Sequence, residues 1–284
     1  AHSHIRVVGL IEPPEDAGRS ATAAGVSALL TGLVTVRAGR LRLAVRLVAA
    51  DDASVLWTGD QSVGLADLAG FEVEEQWSRE IAAKLGDPSG PVIRRELGRE
   101  RSPRTEPELA ARLAFYAYLH DGSVDSIAEA VRLLDAALDS GCRTAPILAM
   151  RAAVANTSSV YDFADRDVEL DRAEALAREA LARDASNVHA HLVLSWPLLQ
   201  RGQVEVAVQL AETAARLAPY QPFYLSTSGM VLIACGEWHR GAALIREAQR
   251  LQPGMSGQTY SWLAMASLVD GNYGQALAEA SLLP

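Results

Sequence analysis

At 284 residues, with 49% hydrophobic side chains and 21% charged ones, the chain is long enough for two domains that each bury a core. Its formal net charge of −9 argues against nucleic-acid backbone binding, which needs a basic stripe. No run reaches 18 consecutive apolar residues and no charged-then-apolar leader opens the chain, so these residues provide no membrane helix and no secretion signal.

The chain opens Ala1-His2-Ser3-His4, without methionine, and the expectation is a piece of a longer protein. Ile5 to Ile11 reads as a short strand stopped by Pro13-Pro14, and Ala17 to Leu30 as an Ala-rich helix. Leu33, Val34 and Val36, then Leu41, Leu43, Val45 and Leu47, flank Ala38-Gly39, the composition of a hairpin turn. Arg40, Arg42, Ala44 and Arg46 alternate with the second apolar set, which predicts one wet face and one covered face. Asp51-Asp52-Ala53-Ser54 makes the next turn, Val55 to Gly59 a third strand, and Asp67 to Leu85 an amphipathic helix bearing Phe71, Val73, Trp77, Ile81 and Leu85. The fold class predicted for residues 1–86 is α+β, an antiparallel sheet covered by helices. Residues 87–107 hold Pro88, Gly90, Pro91, Pro103 and Pro107 amid charges and read as a linker, with one short helix around Ile93 to Glu100.

Residues 108–284 follow a different rule. Gly202, Ala207, Ala214, Leu217 and Pro219 recur 34 residues later as Gly236, Gly241, Ala248, Leu251 and Pro253. A weaker copy, offset by 35, runs through Gly271, Tyr273, Ala276 and Ala280. A fixed period of this length predicts stacked helical hairpins, none able to bury its apolar face alone. Each glycine ends a first helix, small residues let the paired helices approach, and Pro219 and Pro253 follow the second helix. Ala173 and Ala180 precede Ala207 and Ala214 by 34, and Ala130 and Ala137 lie 43 earlier still. The count is about four repeats, the last incomplete at Pro284. The inserted stretch, Asn156 to Asp171, carries Asp162, Asp165, Asp167, Glu169 and Asp171; without a central glycine or alternate spacing it reads as a solvated acidic loop and not a calcium site. Cys142 and Cys235 stand about two repeats apart, too far for a disulfide.

This small-residue and proline pattern resembles the tetratricopeptide repeat, which makes the second half an all-α solenoid. The run from Leu30 to Trp57, with its Gly-containing strand, turn, second strand, acidic turn and Leu56-Trp57 close, resembles the TolB-N/FlgO-like domain. The resemblance covers residues 5–86 and implies that the first strand and helix of that domain are missing here. In that order the two domains occur downstream of bacterial class III adenylate or guanylate cyclase domains, or of winged-helix regulator domains of the CadC-like kind. It implies a regulatory, protein-interaction segment of a signalling protein, cytoplasmic, or periplasmic where a membrane span lies upstream.

No catalytic arrangement, metal set or cofactor-binding loop stands out, so the segment is expected not to be an enzyme, and neither cyclase nor winged-helix activity carries over to these residues. His189 and His191 are two apart on a helix and so cannot chelate one metal. Aligning the repeats on their glycines places His189, Leu192, Trp196 and Leu199 on the inner face, followed by Phe223, Ser226, Met230 and Ile233. In the last copy Gln258, Ser261 and Met265 take these places. They are the candidate groove for a protein or peptide partner, a second copy of the chain included, with packing between repeats as the competing role. No clamp of Lys, Arg and Asn for a terminal carboxylate is present, since Lys84 is the only lysine. Pro197, inside a predicted helix, is expected to kink it or to leave the carbonyl near Val193 unpaired. The alternative is a stand-alone sensor that takes a small ligand in a cleft between the two domains.

Overall fold

The computed structural model describes residues 26–67, 72–88, 90–98, 106–160, 165–253 and 257–283. The chain divides into two compact units, Ala1–Arg99 and Glu100–Pro284.

The first unit contains an antiparallel sheet in the order β1 (Ala28–Arg37), β2 (Arg40–Ala49), β3 (Val55–Gly64). Ala38 and Gly39 take φ of +50° and +72°, the double positive-φ turn whose twist matches a tight hairpin. The helix expected from Ala17 does not reach Leu30. Ala28, Leu29 and Leu30 pair with Ala49, Val48 and Leu47, so ladder hydrogen bonds override alanine's helical preference. The rest of that stretch, like the strand expected at Ile5 to Ile11, lies outside the described residues. On β2, Val45, Leu47 and Ala49 are buried while Arg40, Arg42 and Arg46 are exposed. The sheet is not wholly covered, however: on β1, Leu33, Val34 and Val36 are all exposed. β3 extends five residues past the expected Gly59, because Asp60 to Gly64 continue the pairing with Arg40 to Ala44.

A turn of 3-10 helix at Leu65–Asp67 precedes α1 (Glu72–Gly86), whose Trp77 and Ala83 are buried; Phe71 lies outside the described residues. The stretch read as linker holds α2 (Pro91–Gly98), and this helix is anchored to the sheet. Its Arg95 pairs with Asp51, reaches Asp52 at 3.1 Å and donates to Ser54 Oγ at 3.1 Å, all in the β2–β3 turn.

The second unit is helical: α3 (Pro107–Asp121), α4 (Val124–Asp139), α5 (Ala145–Val160), α6 (Arg166–Arg183), α7 (Val188–Gln200), α8 (Val204–Leu217), α9 (Pro222–Ala234), α10 (Trp238–Leu251), α11 (Gly257–Val269) and α12 (Tyr273–Ala280). Each odd-numbered helix packs on the even one after it, and on the odd-numbered helices before and after it. Among the described residues this makes five pairs against the count of about four, and Ala130, Ala173, Ala207, Gly241 and Ala276 stand one in each, on α4, α6, α8, α10 and α12. The helix ends keep the beat of the sequence: α8 and α10 start at 204 and 238 and stop at 217 and 251. Gly202, Gly236 and Gly271 sit at φ of +75°, +87° and +72°, beyond the first helix of each pair, where a Cβ would be strained.

Small residues set how closely the pairs approach. Ala207, Ala211 and Ala214 on α8 are fully buried. Between α9 and α10 the approach is closer, for a Cβ on Gly241 would lie 2.5 Å from Gly229 O and a Cβ on Gly229 2.5 Å from Gly241 O.

The acidic stretch 156–171 is mostly not a loop. Its residues lengthen the helices around it, α5 to 16 residues and α6 to 18, against 13 and 14 in the next pair. Asp165 caps α6, accepting from the amides of Asp167 and Val168. Glu169 is buried between Arg151 and Arg172, and Asp171 pairs with Arg201, so these carboxylates hold helices together. Asp162 lies outside the described residues.

Candidate functional site

The odd-numbered helices of the second unit, with Gly122 and Ile127 where α3 turns into α4, line a groove of about 420 Å³. α3 contributes Tyr118 and Leu119, α5 contributes Ala153, Asn156 and Thr157, and α7 contributes His189, Leu192, Val193 and Trp196. Phe223, Thr227 and Met230 follow from α9, and Gln258 from α11. None of the residues lining the groove carries a carboxylate, an ammonium or a guanidinium.

Six of the eleven residues aligned on the inner face meet here: His189, Leu192, Trp196, Phe223, Met230 and Gln258. The other five do not line it: Ser261, for one, donates its hydroxyl to Gln258 O at 2.7 Å within its own helix. Ile233 is fully buried and packs with Ala242, Ile245, Leu263 and Ala266 of the neighbouring helices, as the packing role foresaw. Ser226 is buried and its hydroxyl donates to Phe223 O at 2.9 Å, a bond within its own helix. Leu199 is half-buried outside the groove, and Met265 is 42% exposed.

Tyr118, Asn156 and Thr157 were not among the inner-face residues, because the first two pairs have no glycine in register with Gly202, and the alignment rested on those glycines. One signal did point toward them. Pro197 has no N–H to give the carbonyl of Val193, yet α7 runs on to Gln200. Asn156 Nδ2, from the preceding pair, donates to Val193 O at 2.8 Å. The expected orphan carbonyl is therefore satisfied from the neighbouring repeat. That bond also fixes the amide: its nitrogen faces the carbonyl, and Oδ1 is left as an acceptor.

Two polar atoms in the groove wall have no partner. Asn156 Oδ1 is one, and His189 Nε2 is the other, both closed to solvent. Some of the His189 ring surface is open, but its environment is aromatic, with Phe115 edge-on at 5.4 Å and Phe223 stacked at 6.2 Å. Burial lowers the imidazole to about 4, so the ring is neutral at pH 7. Leaving a buried polar atom unsatisfied costs about 1–3 kcal/mol, so two in one wall are a departure from ordinary packing. On α3 and α5, Tyr118 and Thr157 share a hydrogen bond of 2.5 Å. Trp196 meets Trp262 of α11 at 6.3 Å, which carries the aromatic lining from α7 to α11.

Chemistry other than binding finds little here. Among the described residues no three of His, Cys, Asp and Glu come together as metal ligands, and no helix is long and apolar enough to cross a membrane. His191 turns toward the preceding loop, 3.0 Å from Ala185 O, while His239 is largely exposed at 3.4 Å from Asp270. Both cysteines are free thiols raised above their ordinary value by burial, which disfavours thiolate reactivity.

No protein-family model matches the chain, and no curated protein does. Solved structures do resemble it. A thermophilic TPR protein of Thermus thermophilus is 20% identical, with 61% of this chain and 88% of that one aligned at a TM-score of 0.49. A crystal structure of MamA is 14% identical over 59% of this chain and 91% of its own, at a TM-score of 0.40. At such identities function does not carry across, and the site stands on its own residues.

Proposed function

We propose that this chain is a non-catalytic protein-interaction segment that holds a peptide stretch of its partner in the groove of a tetratricopeptide-like array. The observation that carries this reading is the groove itself. Five consecutive helical pairs bring aromatic, Met and uncharged polar side chains to one continuous lining, the mixture that suits an adaptable peptide site. The order of a small sheet unit and a helical array supports placing the segment in a bacterial signalling protein, beside a cyclase or a transcription-regulator domain. Residues 1–86 then correspond to the TolB-N/FlgO-like domain, 87–107 to the linker and 108–284 to the repeats.

A random peptide library displayed against the immobilised full chain tests the reading. Selected peptides are expected to lose at least tenfold in affinity against Thr227→Arg, which sets a long cation into the wall of the groove. Undiminished binding to that variant, with its melting temperature unchanged, would place the contact elsewhere and overturn the assignment.

A further inference from the structure

We infer that β1 accepts a further strand from a partner, an extended segment in which carboxylates alternate with apolar side chains. This site lies in the first unit and is independent of the groove. β1 is at an edge of the sheet, and among the described residues its only strand neighbour is β2. The ladder closes at Arg37 and Arg40, so alternation turns the N–H and C=O of Leu30, Gly32, Val34 and Val36 away from β2. Eight consecutive residues, Leu30 to Arg37, are exposed, and they include both faces of the strand. The opposite edge differs, for β3 is half-buried at alternate residues and has α2 packed on it. Proteins commonly blunt a long edge with a proline, a bulge or an inward charge. β1 runs ten residues in unbroken register with β2, without proline, and its single charge is Arg37 at its end.

The two faces beside this edge set what an added strand should carry. On one, register places Arg37 opposite Arg40, Thr35 opposite Arg42 and Thr31 opposite Arg46. All four guanidiniums are on exposed residues. Two carboxylates stand near them: Asp60 pairs with Arg42, and Asp67 sits on the β3 side, 2.5 Å from where a Cβ on Gly64 would lie. Arg37 and Arg46 have no acid partner among the described residues. Like charges directly opposite each other destabilise a sheet, and a carboxylate on the next strand relieves the Arg37–Arg40 pair. On the other face Leu30, Val34 and Val36 are exposed beside the half-buried Leu41 and Leu43. An added strand alternates in step, so its carboxylates fall on the arginine side and its apolar residues on this margin. Charge disfavours the rival occupants. A second copy pairing through β1 would gather the arginines of both copies on one sheet face with no further carboxylate to neutralise them. Ile5 to Ile11, the run read as a strand, has Arg6 as its only charge. The arginine face offers no aromatic ring on which a nucleic-acid base could stack.

An eight-residue peptide alternating Glu and Val, blocked at both ends, tests this beside its Gln and Lys counterparts and an octathymidylate. Each carries a fluorophore and is titrated into the full chain at pH 7 with anisotropy as the readout. The Glu peptide is expected to bind at least tenfold more tightly than the Gln and Lys peptides. Arg37→Glu should weaken it at least tenfold and make the Lys peptide the tighter of the two, with the melting temperature unchanged. Two further forms of the Glu peptide carry N-methyl groups on one or the other alternate set of residues. The form whose methyls face β1 should lose at least tenfold, which an ion pair alone would not produce. Equal binding of the Glu and Gln peptides would leave charge without a role, and undiminished binding of both N-methylated forms would exclude strand pairing. Tighter binding of the oligonucleotide would make the face a nucleic-acid site, and equal losses on Thr227→Arg and Arg37→Glu would move the peptide to the groove. A self-associating chain that binds no peptide would give the edge to a second copy, and a monomer that binds none would leave it closed. Each of these outcomes overturns the proposal, and all but the groove result leave the reading of the groove standing as it was.

Discussion

His189 shows how one side chain can carry both a binding role and a liability. Its folded value of about 4 lies below the ordinary 6.5, so the unfolded chain takes up a proton first as pH falls. The stability tied to its neutral form is complete above pH 6.5 and is lost between 6.5 and 4, up to about 3 kcal/mol for a shift of this size. Denaturant titrations of wild type and His189→Phe at pH 7.5 and 4.5 should show the wild type losing more on acidification than the variant. Equal losses would mean that the imidazole is solvated. Ala214 tests packing at the same scale. It is fully buried in the array, and Ala214→Leu should overpack it at a cost of about 1–3 kcal/mol, read as a lowered melting temperature. An unchanged melting temperature would mean that the repeat register is wrong there.

Between elements, the bond from Asn156 on α5 to the Val193 carbonyl on α7 couples two consecutive pairs. Asn156→Leu should cost about 1–3 kcal/mol, since it strands a buried carbonyl. In the Pro197→Ala background the helix regains its own N–H, and the same Asn156→Leu change should cost at least about 1 kcal/mol less. A double-mutant cycle in urea measures the difference; strict additivity would show that the carbonyl finds another donor. This pairing was half legible in the sequence, because a proline inside a helical stretch announces an open carbonyl but not who fills it. Asn156 lies in the pair that has Val168 where the beat would put a glycine, so alignment on the glycines could not reach it. The insertion was misread for a related reason: acidic side chains look like a loop until their arginine partners, Arg151, Arg172 and Arg201, are seen on adjacent helices.

At the scale of the molecule, the second unit is a stack in which each pair leans on its neighbours, and stability should fall toward an end that lacks one. α12 is eight residues long, with Tyr273 and Leu277 70% and 73% exposed. Hydrogen exchange should therefore be fastest there among the helices of the array and slowest in α5 to α8; uniform protection would contradict a stacked unit. The periodic half of the chain was readable because Gly202, Gly236 and Gly271 each satisfy a backbone geometry that few other residues tolerate. The sheet was readable at Ala38-Gly39 for the same reason, but the length of β1 was not, since Ala28 to Leu30 are strand only through their partners. The coincidence of helix starts with the sequence period also has a genetic meaning. Recombination between the coding segments for Pro219 and Pro253 would remove or add one complete hairpin, α9 with α10, and keep Gly229 and Gly241 together within it. The length of the groove is thus a quantity that can be inherited in whole steps, and a chain lacking residues 219–252 should still fold, with helical circular dichroism per residue unchanged.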